Sequence, residues 1–134
     1  MSDVLRKLIG RLVISVSVSL DANELKFITD MGDVGIHTDG GCCSETWFSD
    51  LIGLTALLGG RVTAVESLEL PDYNCKDGRS RQQEDVAYGH RITTEVGFAD
   101  LIYRNSSNGF YGGWLSAGDA KEAIIPITCD DWSA

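Results

Sequence analysis

Between Ile14 and Leu20 the chain alternates strictly: Ile14, Val16, Val18 and Leu20 are apolar, and Ser15, Ser17 and Ser19 separate them. Successive side chains of a strand point to opposite faces, so a period of two predicts a half-buried strand. The pattern places the aliphatic positions on the core and the hydroxyls outward. Asp21-Ala22-Asn23 has turn composition, and residues 24–30 (ELKFITD) read as the hairpin partner. A second turn at Met31-Gly32-Asp33 leads into residues 33–38, where Val34 and Ile36 share one face and His37 takes the other.

The rest of the chain carries weaker periods. Leu5, Leu8 and Ile9 fall on one face of a short helix that Ser2 caps and Gly10 ends. In SETWFSDLIGLTALLGG the β-favouring Thr46-Trp47-Phe48 predicts a strand over residues 46–52. A short helix then turns Leu54, Leu57 and Leu58 to the core and stops at Gly59-Gly60. One longer helix from Ser44 is the alternative, which Gly53 disfavours. Residues 61–70 read as another strand, and residues 71–90, almost without apolar side chains, as a long loop. Strands over 90–96 and 98–105 flank Gly97, Asn108-Gly109 signals a hairpin, and FYGGWLS would be the returning strand. The tail adds an edge strand, where Pro126 is tolerated.

These elements predict a single α+β, β-rich domain over residues 1–134. Six or seven mostly antiparallel strands would form a curved sheet or small sandwich with one or two short helices.

Composition narrows the function classes. The 134 residues are 43% hydrophobic, ordinary for a globular chain. No apolar run approaches the ~18 residues that span a bilayer, and the N-terminal stretch lacks a signal peptide's apolar core, so the expectation is a cytosolic protein without membrane contact. Twenty acids against eleven bases give a net charge of -9, which argues against direct nucleic-acid binding. Residues 21–50 concentrate the imbalance: Asp21, Glu24, Asp30, Asp33, Asp39, Glu45 and Asp50 face Lys26 alone. Such a stretch is either a solvated surface or a face that docks on a basic partner.

The stretch HTDGGCCSE, residues 37–45, invites a metal or thiol reading. Yet adjacent side chains of an extended chain diverge, so Cys42 and Cys43 are not expected to grip one ion, and neither Cys-x-x-Cys nor His-x-x-x-His spacing occurs. The reading is a glycine-permitted turn with at least one cysteine buried as a small hydrophobe, and no metal or cofactor. No Gly-x-Ser-x-Gly, phosphate-binding glycine loop or His-Glu-x-x-His is present. His37, beside Asp39, is the one acid–base candidate, for a small hydrolase. Phe110, Tyr111 and Trp114 cluster at a glycine-rich turn, so Tyr111 and Trp114 with Arg104 are candidates for a small-ligand or nucleotide pocket.

The segments DVGIHTDGGCCSETWF and FADLIYRNSSNGFYGGW resemble a family of small proteins encoded by bacteriophages and prophages, with no assigned activity. The matching positions are Asp39, Cys42, Cys43 and Glu45, then Arg104, Ser107, Asn108, Gly109, Tyr111 and Gly112. Phe110 stands where the family pattern has Tyr. The resemblance spans most of residues 8–115 and implies a phage gene product in a bacterial cytoplasm. The function expected is non-catalytic occupation of a host protein's basic surface, including that of a nucleic-acid-binding defence complex. Asp33, Asp39, Glu45 and Asp50 would carry it, on a monomer or homodimer.

Overall fold

The computed structural model describes residues 4–70, 84–107 and 112–134. Two antiparallel five-stranded sheets face each other across one apolar core. The strands are β1 (Val13–Val18), β2 (Glu24–Thr29), β3 (Gly32–Gly40), β4 (Ser44–Ile52), β5 (Val62–Leu68), β6 (Glu84–Thr94), β7 (Phe98–Ser107), β8 (Gly113–Gly118), β9 (Ile125–Pro126) and β10 (Asp131–Ser133). A helical turn, α1 (Leu54–Leu57), and a 3-10 turn over Leu5–Leu8 are the helical elements among the described residues. The first sheet runs β8-β3-β2-β1-β9 and the second β10-β4-β7-β6-β5. Of the two forms anticipated from the sequence, a curved sheet or a small sandwich, the β-rich sandwich is present, with ten strands among the described residues rather than six or seven.

Alternation positions the core in most strands. Leu25 and Phe27 of β2 with Val34 and Ile36 of β3 line one wall, and Phe48, Leu51, Leu101 and Ile92 line the other. Burying a side chain of this kind contributes roughly 1.5–3 kcal/mol. In β1 the register departs from the simple pattern. A bulge between Val13 and Ser15 turns Ile14 outward, and Leu20 lies beyond the strand, 92% exposed. Val13, Val16 and Val18 do the burying instead, and Ser17 and Ser19 are buried rather than outward.

Two further expectations need correction. Residues 84–90 are not loop but the first half of β6, paired with β7 from Glu84↔Ser107 onward; residues 71–83 lie outside the described residues. The strand after the glycine-rich turn does not return along β7. β8 crosses to the first sheet and pairs with β3, from Gly35↔Gly118 to Gly40↔Gly113. The hairpin tip at Asn108-Gly109 lies outside the described residues, as does the Ser2 cap. Among the described residues no helix is long and apolar enough to cross a membrane.

Candidate functional site

β3 and β4 belong to different sheets, and the short connection between them passes from one to the other. This crossing leaves a polar groove of about 420 Å³ lined by residues of the β1–β2 turn and of both strands. Its wall is built by the Asn23 side chain, whose Nδ2 donates to Thr38 Oγ1 at 2.6 Å and to the Thr46 carbonyl at 3.1 Å. Thr38 Oγ1 donates to the same Thr46 carbonyl at 2.8 Å, and buried Asn105 donates from Nδ2 to Thr46 Oγ1 at 2.8 Å. These bonds tie β3, β4 and β7 together where the sheets part. Gly40 is required there. A Cβ at that position would collide with Ser44 Oγ and come within 2.8 Å of Asn105 Nδ2.

Three carboxylates converge on the groove: Asp21 from the turn, Asp39 from β3 and Glu45 from β4. Asp21 is oriented by Ser19 Oγ, which donates to its Oδ1 at 2.7 Å, and by the Asn23 N–H at 3.0 Å. Asp39 Oδ2 accepts from Ser116 Oγ at 2.7 Å and sits 3.1 Å from His37 Nε2. Beside the groove, and sharing Asp21 with it, is an apolar hollow of about 520 Å³ whose lining includes Leu20, Ile124 and Ile125. Ile124 is 72% exposed and Leu20 more so. These exposed aliphatic side chains leave an apolar patch in water beside the carboxylates.

The four acids anticipated as one surface are not all together. Asp39 and Glu45 share the groove. Asp33 lies at the opposite end of β3, six residues and therefore about 20 Å away along the strand. Asp50 is a correction: it is 1% exposed, with Oδ2 accepting from Ser49 Oγ at 2.9 Å, so it presents no charge to a partner. Asp21 was counted only among the acids of residues 21–50, and Leu20, Ile124 and Ile125 were not anticipated as site residues. The last two come to Leu20 only through the pairing of β9 with β1, which no local signal announces.

The aromatic pocket fares differently. Arg104 is 0% exposed; its Nε and Nη2 donate to the two oxygens of Asp85 at 3.1 and 2.8 Å, and its guanidinium lies over the Trp47 ring, 4.6 Å from the centre. It is an internal group and not a phosphate anchor. Trp114 is half-exposed on the edge strand β8, and Tyr111 lies outside the described residues. His37 and Ser116 both contact Asp39, but Ser116 directs its hydroxyl to the carboxylate. A hydrolytic triad needs that proton on the imidazole. His90 is buried in the core, and desolvation pulls its pKa down to about 4. The cysteines also correct the expectation: Cys42 and Cys43 are both exposed, as is Cys129. Among the described residues no group of three His, Cys, Asp or Glu side chains is placed to hold a metal ion.

The fold and the groove thus define a small β-sandwich with an acidic, partly apolar surface. The chain belongs to the family described as the domain of unknown function DUF7448, whose model matches residues 6–116. It is also similar to the uncharacterized protein L278 of Acanthamoeba polyphaga mimivirus, 31% identical over 86 residues. That alignment covers 60% of this chain and 64% of the mimivirus protein, so the match spans less than two thirds of the relative. No solved structure matches. A family of unknown function with a viral relative agrees with the resemblance noted from the sequence, at the level of a viral family. Asp21, Asp39 and Glu45 lie inside the family match, whereas Ile124 and Ile125 lie beyond it.

Proposed function

We propose that this is a virus-encoded, non-catalytic binding protein that docks on a basic surface of a host protein through the β3–β4 groove and the adjoining apolar hollow. The observation that carries the reading is the contiguity of three carboxylates with the exposed Leu20, Ile124 and Ile125 around Asp21. A net charge of -9 steers a basic partner toward the protein and raises the association rate, while the aliphatic side chains supply contact area that holds the complex. A host complex that binds nucleic acid presents the matching basic surface, and the setting is the bacterial cytoplasm that the phage resemblance implies.

The test is affinity capture from bacterial host lysate with the tagged chain, washed at low and at high salt. The controls are an Asp39→Lys/Glu45→Lys double variant and a Leu20→Asp variant. The partner retained at low salt should be lost at high salt, and the double reversal should slow its association by roughly tenfold or more. Leu20→Asp should speed its release. Retention indifferent to salt and to the charge reversal would refute the electrostatic reading.

A further inference from the structure

The tip of the β3–β4 connection holds two thiols in an unusual relation. Cys43 adopts a left-handed backbone, φ +65°, rare for a residue with a side chain. Ser44 fixes the turn, its N–H donating to the Gly41 carbonyl at 3.2 Å and its Oγ to the same oxygen at 2.6 Å. The left-handed residue cancels the divergence expected of neighbours in an extended chain. The two sulfurs lie 3.3 Å apart, and both side chains are exposed.

That separation selects among the things two thiolates can do. Adjacent Cα atoms are about 3.8 Å apart across a trans peptide, shorter than the roughly 4.4–6.8 Å usual for disulfides, so a bond between these sulfurs would be strained and easily reduced. A bridging ion is less demanding. With sulfur bonds of about 2.3 Å, sulfurs 3.3 Å apart subtend an angle of about 90° at the bridged centre. A tetrahedral zinc would want them about 3.8 Å apart and a linear two-coordinate ion about 4.6 Å. No third Cys, His, Asp or Glu completes a metal-ligand group among the described residues. The fitting centre is small, soft and pyramidal, with near-right-angle bonds and a third substituent of its own.

We propose that Cys42 and Cys43 form a vicinal dithiol site that chelates trivalent arsenic, in the form of an organic or inorganic arsenite species. With an arsenoxide, two As–S bonds form and both bonds from arsenic to the oxo oxygen break. The two thiol protons leave on that oxygen as water, and nothing is oxidised or reduced. The site stands independently of the docking groove, although Ser44 and Glu45, which follow it in sequence, line that groove.

The reduced full chain is treated with phenylarsine oxide and its intact mass measured, with excess glutathione and then with 2,3-dimercaptopropanol. The expected product carries one arsenical, at the reagent's mass less one water, survives glutathione and is released by the dithiol. Cys42→Ser and Cys43→Ser should each lose the glutathione-resistant adduct, while Cys75→Ser and Cys129→Ser retain it. Peptide mapping of the wild-type adduct should place arsenic on the fragment containing residues 42 and 43, a readout that needs no variant to fold. An adduct mapped to Cys75 or Cys129, one that glutathione removes, or one that persists in Cys42→Ser would overturn the proposal.

Discussion

Mild acid should destabilise this protein through one buried side chain. His90 lies on β6 between Leu101 of β7 and Ser67 of β5, 4% exposed, with its ring stacked on Tyr103 at 5.8 Å and 20°. Neither ring nitrogen has a hydrogen-bond partner among the described residues. Protonation would therefore place an uncompensated charge in the core, and desolvation lowers the pKa from 6.5 to about 4. The unfolded chain takes up the proton near 6.5 and the folded one only near 4. Between those values the unfolded state binds more protons, so stability is full above about pH 6.5 and is lost as pH falls toward 4. For these two pKa values linkage gives a loss of about 2 kcal/mol between pH 7 and pH 5, and about 3 by pH 4. Urea unfolding of wild type and His90→Phe, each at pH 7 and pH 5, isolates the effect, because the carboxylates titrate equally in both. Wild type should lose about 2 kcal/mol more than the variant over that interval. Equal losses in the two proteins would refute the reasoning.

Other outcomes follow from the same geometry. Tyr103, stacked on Tyr88 at 5.0 Å, has its pKa pushed up to about 12 by burial and then by Tyr88. Its neutral form is favoured in the folded state, so stability should fall as pH rises from about 10 toward 12. A Tyr103→Phe variant should lose the late phase of the phenolate absorbance titration. Gly35→Ala would push a methyl into the Gly118 carbonyl and within 3.0 Å of the Ala120 side chain, prising β8 from β3. A loss of about 1–3 kcal/mol, with faster amide exchange along β8, should report it. Arg104→Lys keeps the charge but removes the two-pronged bond to Asp85, and should cost about 2 kcal/mol or more of stability, seen as a marked fall in the thermal midpoint. Arg61→Ala, at a half-exposed pair with Asp30, should cost under about 1 kcal/mol in the same assay.

Much of the architecture was legible because its cause is local. The β2–β3 hairpin, the opposed faces of Ile36 and His37, the single turn at Leu54 and the β6–β7 hairpin around Gly97 all follow from period and turn chemistry. What escaped depends on distant chain. The bulge after Val13 is one extra residue absorbed against β2, and it moves Ile14 to the solvent side without changing the alternating pattern. Arg104 read as part of a ligand pocket because it lies just before the glycine-rich aromatic turn in sequence. It is buried because β7 is the middle strand of its sheet, with Trp47 on one side and Asp85 of β6 within reach. Asp50 misled in the same way. Half of the site was visible as the acid-rich run through Asp39 and Glu45, and the other half required knowing that β9 lands beside β1. The paired sulfurs turn on one torsion angle, that of Cys43, which composition does not reveal.

The last strands also govern when this molecule can become itself. β9 pairs with β1 on the first sheet and β10 with β4 on the second, and Asp130 accepts the Thr55 N–H at 2.8 Å at the start of α1. One short segment therefore closes an edge of each sheet. Its first docking partner, Ser17, was synthesised more than a hundred residues earlier than Pro126. Contacts so remote in sequence make for folding on the slow end of the millisecond-to-second range. Until residues 125–133 have been made and seated, β1 and β4 both present unpaired backbone, and the nascent chain carries two open edges able to recruit a neighbour's strand.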